Sequence, residues 1–147
     1  MKIFKLLFFA IILGVVLNSC VSDKVNKDLK EVPEKYINKE DPAILTRTDT
    51  LFDFGEITEG DVVEHEFEFT NTGNTPLILV DAKSSCGCTV PEIPKEPVAP
   101  GEKGILKVRF NSKYKKGDIN KKIRVAANTY PETTNNFYLR GVVNKPK

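Results

Sequence analysis

The sequence predicts an all-β protein, a sandwich of about seven strands, and three observations carry that prediction. Apolar and polar residues alternate with a period of two in several short runs, most plainly over Val62–Thr70. Turn signals rich in Gly, Pro, Asn and Asp separate these runs about every 8–12 residues. No helix of ordinary length is needed to account for the pattern after residue 42.

The chain begins with a segment of another kind. Lys2 and Lys5 precede or open an apolar run, Leu6–Leu17, of twelve residues. That run is too short to span a bilayer comfortably and suits a signal peptide. It ends in Leu17-Asn18-Ser19-Cys20, which resembles the lipobox of bacterial lipoproteins. The resemblance implies a diacylglyceryl group on Cys20, cleavage after Ser19 and acylation of the new amino terminus. Residues 1–19 are then a lipoprotein signal peptide. Lipid on Cys20 would hold the domain on the inner or outer membrane of a bacterial envelope, facing an extracytoplasmic compartment such as the periplasm. Disulfides are permitted there. Loss of Lys2 and Lys5 takes Lys+Arg from 22 to 20, equal to the 20 Asp+Glu. A formally neutral mature protein has no global basic field to attract nucleic acid, so none is expected as a partner.

Residues 20–42 read as the lipidated cysteine and a charged, flexible linker. Lys and Asp/Glu residues crowd Val21–Asp41, large apolar residues are few, and Pro33 and Pro42 interrupt it. A helix around Asp28–Ile37 lacks an apolar stripe to support it. As a coil of about 20 residues the segment would hold the domain roughly 25 Å from the lipid.

The sandwich occupies residues 43–147. Ala43–Thr48 is the first candidate strand, and Thr50–Phe54 the second, ending at Gly55. In Val62–Thr70, Val63, His65, Phe67 and Phe69 share a core face, and Glu64, Glu66 and Glu68 share a solvent face. Asn71–Pro76 is a turn, and Leu77–Val80 a short apolar strand. Pro91, Pro94, Pro97 and Pro100 preclude a central strand in the stretch that follows. Gly104–Phe110 alternates again. Asn111–Asp118 reads as a polar hairpin, Ile119–Ala127 as its returning strand, and Asn135–Val143 as the closing strand. Phe52, Phe54, Phe67, Phe69, Leu77, Ile78, Val108, Phe110 and Val125 are the expected core.

Six motifs together resemble a bacterial family known as domain of unknown function 1573. In chain order they are Asp53-Phe54-Gly55-Glu56-Ile57, Phe67-Glu68-Phe69-Thr70-Asn71-Thr72-Gly73, Pro76-Leu77, Ser85-Cys86-Gly87-Cys88-Thr89, Pro100-Gly101-Glu102 and Phe110-Asn111. The resemblance covers roughly residues 43–143. It implies an Ig-like sandwich similar to those of major sperm protein, PapD-type chaperones and ASH domains, which mostly bind other proteins. The family has no established activity, so the resemblance implies fold rather than chemistry.

Candidate chemistry is sparse. The sequence has no Gly-x-Ser-x-Gly, His-Glu-x-x-His or Gly-x-x-x-x-Gly-Lys motif, so no enzyme activity and no cofactor is expected. His65, the only histidine, lies on an apolar strand face and reads as a core or edge residue; a Cys–His pair with Cys86 is the sharper alternative.

Cys86-Gly87-Cys88 has three readings. It is structural, as buried thiols or a tight disulfide; or a redox exchange site; or a thiolate site for copper or zinc. In an extended strand the two Cα atoms would stand about 6.5–7 Å apart, at the limit for a disulfide, and Gly87 offers a bend that shortens this. Lys113, Lys115, Lys116, Lys121, Lys122 and Arg124 cluster around Tyr114. They suit contact with an anionic surface, lipid headgroup or acidic glycan, or else a solvated segment that lysines keep from pairing. The functional expectation is a non-catalytic envelope lipoprotein that binds another envelope protein. The alternative is a redox or copper/zinc-handling protein acting through Cys86 and Cys88.

Overall fold

The computed structural model describes residues 29–146. The signal peptide expected over 1–19 and the lipidation site Cys20 lie outside the described residues. Eight strands form two four-stranded sheets. They are β1 (Leu45–Arg47), β2 (Leu51–Thr58), β3 (Val62–Asn71), β4 (Leu79–Ser84), β5 (Thr89–Glu92), β6 (Lys103–Asn111), β7 (Gly117–Ala127) and β8 (Thr134–Asn144). One sheet has the order β1-β3-β6-β5, the other β2-β8-β7-β4. All pairings are antiparallel except β2 with β8, which run parallel.

The Ig-like sandwich is as expected, with one strand more. β5 lies in the stretch where prolines argue against a strand, and it is an edge strand. Asn111 N–H donates to Cys88 O at 2.9 Å. Antiparallel alternation then turns Val90 and Glu92 toward β6, and Thr89 and Pro91 toward the open side. Pro91 therefore sits where no ladder donor is required.

Two other expectations shift. β2 does not end at Gly55: a bulge between Asp53 and Glu56, with Gly55 at φ 68°, carries it on to Thr58. The Asn111–Asp118 segment is not a hairpin, because β6 and β7 belong to different sheets and the segment crosses between them. Period-2 alternation marks an inward face but does not say which sheet presents it.

Both inner faces meet in one core. Phe67, Phe69, Leu106, Val108 and Phe110 come from one sheet, and Ile123, Val125, Phe137 and Leu139 from the other. Phe67 meets Phe137 at 5.1 Å between ring centroids, and Phe54 meets Phe110 at 5.5 Å. Phe52, Phe54 and Ile78 are half-buried rather than central.

The outer face of the first sheet carries a ladder of opposite charges. Lys103–Glu68, Lys107–Glu66 and Arg109–Glu64 pair at 2.8, 3.1 and 3.3 Å. These exposed pairs add little stability but oppose wrong strand registers.

The later part of the expected linker is held against the domain. Leu29 is buried, Lys30 N–H donates to Asp81 Oδ2 at 3.0 Å, and Glu34–Tyr36 make one 3-10 turn. Asn128 Nδ2 donates to Tyr36 O at 3.2 Å, and Asn74 Nδ2 to Asp41 Oδ1 at 2.9 Å. Residues 29–42 thus form a strap along the sandwich. Composition alone reads as a free coil there because most of these contacts use backbone and polar atoms.

Candidate functional site

Cys86 and Cys88 lie in the crossover from β4 to β5, which links the edges of the two sheets. The chain turns there, and the Cα atoms approach to 5.3 Å, well inside disulfide range. The two sulfurs are bonded. Gly87 makes the bend outside the left-handed region, and a Cβ at that position would meet nothing within 4 Å. Both cysteines are half-buried, with Cys88 packed against the core. The buried Thr89 hydroxyl lies 3.8 Å from Cys86 Sγ and 4.0 Å from Cys88 Sγ. The ring spans only three residues, so its loss frees little chain entropy. Cys86→Ser with Cys88→Ser is expected to lower stability by about 1.5 kcal/mol or less, as urea denaturation would show.

His65 lies apart from Cys86 and Cys88. Its ring stacks on Phe52 of the opposite sheet at 3.9 Å and meets Phe67 edge-on at 4.5 Å. In register it faces Val108, which faces Pro91. Two strand spacings, roughly 10 Å, therefore separate it from the β5 edge, and the Cys–His pair does not form. Among the described residues no three His, Cys, Asp or Glu side chains gather to hold a metal ion.

Burial lowers the His65 pKa, against weaker opposing fields from Asp49 and Glu66. A folded-state value below the unfolded one means that the unfolded chain binds the proton more readily. The stabilisation is complete above the unfolded value near 6.5 and is lost as pH falls through the folded value. Wild type is expected to melt lower at pH 5.5 than at pH 7.5. His65→Phe, which keeps the ring stack, should narrow that gap in thermal denaturation. A gap of unchanged size would assign the slope to other groups.

The six expected cations do not form one face. Lys113, Lys115 and Lys116 lie on the crossover between β6 and β7. Lys122 and Arg124 alternate outward on β7, while Lys121 shares the parity of buried Ile119 and Ile123. The turn at the crossover is built by hydrogen bonds. Lys113 N–H donates to Asn111 Oδ1, Tyr114 N–H to Glu59 Oε1 and Lys115 N–H to Ser112 O, at 2.9, 3.1 and 2.9 Å. Tyr114 sits at φ 60° and is 80% exposed.

Among the four sheet edges, β2 is the longest open one. Thr50 O accepts from Tyr138 N–H at 2.7 Å, so parallel alternation turns Leu51 and Asp53 away from β8. Leu51 is 40% exposed. Asp53 accepts from Gly55 N–H and from Arg140 Nε, each at 2.9 Å, and these two partners hold its carboxyl below the usual range. Sequence patterning marks β2 as a strand; its edge position shows only in the pairing.

Asn71 and Asn128 had no role assigned from the sequence. Asn71 Nδ2 donates to Thr75 O and Val98 O at 2.9 and 3.0 Å, and its Oδ1 accepts from Gly73 N–H at 3.1 Å. Asn128 Oδ1 accepts from Ile78 N–H at 2.7 Å, and its Nδ2 donates to Pro76 O at 3.0 Å. Both are buried and satisfy the irregular backbone between β3 and β4. The one available signal was an Asn at a strand end beside dense turn residues.

These features define an Ig-like, PapD-like sandwich with a disulfide-closed loop at one end. The family described as Protein of unknown function (DUF1573) matches residues 45–143, and the chain belongs to it. A protein of unknown function from Porphyromonas gingivalis W83 is similar in structure, with TM-score 0.60 and 15% identity over 68% of this chain. The chain spans about half of that protein, 46%. The ASH / PapD-like domain 7 of human CEP192 superposes with TM-score 0.55 and 13% identity, covering 90% of this chain and 98% of that domain. Part of the secreted serine protease VesC from Vibrio cholerae also superposes, with TM-score 0.52 and 19% identity over 67% of this chain but only 23% of the protease. No curated protein matches the chain.

Proposed function

We propose that the chain is a non-catalytic lipoprotein of the bacterial envelope, anchored through Cys20, that captures another envelope protein by strand addition along β2. The observation that carries this reading is the β2 edge, the longest of the four, which is open from Leu51 until Asp61 and Ser112 take the N–H and C=O of its last residue, Thr58. The other three edges are less suited. β1 has three residues, β5 turns Pro91 outward, and the strap runs beside β4 at Asp81. Strand addition draws affinity from main-chain hydrogen bonds, and Leu51 offers an apolar contact beside them. The likeness to VesC supports the fold and not its activity, because it covers less than a quarter of that protease. Among the described residues no helix is long and apolar enough to cross a membrane; the proposed attachment is the lipid expected on Cys20.

A photo-crosslinking residue at Glu56 should give a discrete adduct in intact envelopes. Leu51→Pro, which removes an outward N–H and no ladder bond, should abolish the adduct while leaving the melting temperature nearly unchanged. An adduct that survives Leu51→Pro would exclude the β2 edge.

A second reading rests on the Cys86–Cys88 bond and its half-buried place in a loop between exposed Ser85 and Val90. A partner's thiolate would attack one sulfur, form a mixed disulfide and release the other as thiolate. Copper or zinc binding would require the reduced pair. Cys86→Ser with Cys88→Ser leaves the β2 adduct intact under the first reading and abolishes function under the second.

A further inference from the structure

We infer that β6 holds a second peptide site, where a short extended segment bearing aliphatic and basic residues adds to the backbone that β5 leaves uncovered. The site lies on the other sheet from β2 and does not depend on the reading given for that edge.

β6 has nine residues, and β5 pairs only with Lys107–Phe110 of them. Two hydrogen bonds fix which way the backbone of β6 alternates. Asn111 N–H donates to Cys88 O, so the odd-numbered residues of β6 face the β5 side. Asn71 N–H donates to Glu102 O, so the even-numbered residues face β3. Lys103 and Ile105 therefore turn N–H and C=O toward a side from which β5 has already departed. Among the described residues neither backbone has a hydrogen-bond partner there. Pro94 is the cause. Glu92 stands opposite Lys107, so a longer β5 would bring Pro94 opposite Ile105. That position must donate to Ile105 C=O, and proline has no N–H.

The chain instead bends away after Glu92 and returns at Val98, which bridges Leu77. A groove of about 710 Å³ opens between this loop and β6, within the size range of pre-formed ligand sites. Ile93, Pro94, Pro97 and Val98 give it an apolar wall, and Ile105, 41% exposed, stands on the other side. A residue paired with Ile105 would lie beside its side chain on the same face, which favours an aliphatic one. The next residue would face Gly104, whose surroundings Phe69 and Val98 already fill, so it must be small.

The charges select further. Lys103 and Lys107 are taken up by Glu68 and Glu66 at 2.8 and 3.1 Å. Glu92, Glu96 and Glu102, all exposed, then remain around the groove against Lys95 alone. This local negative excess complements a cation on the segment. The two outward N–H and C=O pairs recur at alternate residues, the repeat of an extended main chain, so the occupant is a peptide strand.

The test follows backbone amides of the mature chain by NMR, in detergent micelles where Cys20 carries lipid. In the free protein the Ile105 amide should exchange with solvent much faster than those of Gly104 and Leu106, which bond β3. The probe is the blocked peptide acetyl-Lys-Val-Ala-Val-Lys-amide at millimolar concentration. It should slow exchange at Ile105 and shift the signals of Lys103–Ile105. The same peptide N-methylated at both valines should not bind, because its main chain can no longer donate there. Ile105→Lys, a change on an exposed face, should abolish binding. Glu96→Lys with Glu102→Lys should weaken it about tenfold and favour the counterpart peptide with glutamate in place of lysine.

An Ile105 amide as protected as its neighbours in the free protein overturns the inference, since the edge would then be closed. Absence of any shift at Ile105 does so too, as does equal binding of the N-methylated peptide. Shifts centred on Leu51–Asp53 instead would assign the peptide to β2 and leave β6 without a site.

Discussion

Replacing Asn71 with alanine is expected to lower the folding free energy by about 3 kcal/mol, read from the urea midpoint at constant slope. The loss has a specific origin. The Asn71 amide donates to two backbone carbonyls and accepts from Gly73 N–H in a site from which water is excluded. Truncation leaves the Gly73 donor and the Thr75 acceptor without those partners, and no apolar replacement restores them. Asn71→Asp should be worse than alanine at pH 7, because a carboxylate would face two carbonyl oxygens. It should recover in part at pH 4, when the acid is neutral and can donate once. Equal effects of Ala and Asp at neutral pH would show that the site admits water.

Gly104→Val is expected to cost about 3 kcal/mol through overpacking. Gly104 lies directly opposite Phe69 on β3, and the Phe69 ring lies across it, with Val98 beside it. A Cβ built there collides with Phe69 Cζ and Cε2, and both residues are buried. The conformation of Gly104 is not left-handed, so space alone decides the outcome. The double variant Gly104→Ala, Phe69→Leu should therefore be less destabilised than the sum of its single changes. Strict additivity would mean that the ring moves aside freely.

Both predictions bear on the motif Phe67–Gly73 by which the chain resembles its family. Phe67 and Phe69 fill the core, and Asn71 wires the crossover. At Gly73 a Cβ would run into Pro42 O and the Ala43 backbone. The motif is thus accounted for by the fold, and likewise Cys86-Gly87-Cys88 closes a loop between sheet edges. The proposed binding edge overlaps the family's motifs as well, since Asp53–Ile57 makes up five of the eight residues of β2.

Periodicity made most of the strands legible, since burying one face of a strand forces alternation wherever the strand lies. It failed where that cause is absent. β5 is a short edge strand whose Pro91 needs no donor, so proline signalled a loop. The strap is held by backbone and polar groups, so its composition resembled a free coil. The Asn111–Asp118 crossover looked like a hairpin because turn residues mark a reversal without naming the sheet in which the next strand pairs.

The sequence by itself determined the all-β class, the inward faces and the family, because each follows from local residue order. Only the tertiary structure decided that Cys86 and Cys88 are bonded, that His65 stacks on Phe52 away from them, and that β2 is an open edge. It also parted Lys121 from Lys122 across the two faces of β7. Each of these depends on which strands become neighbours. That choice rests on contacts between residues distant in the chain, such as Phe67 with Phe137, which no local pattern encodes.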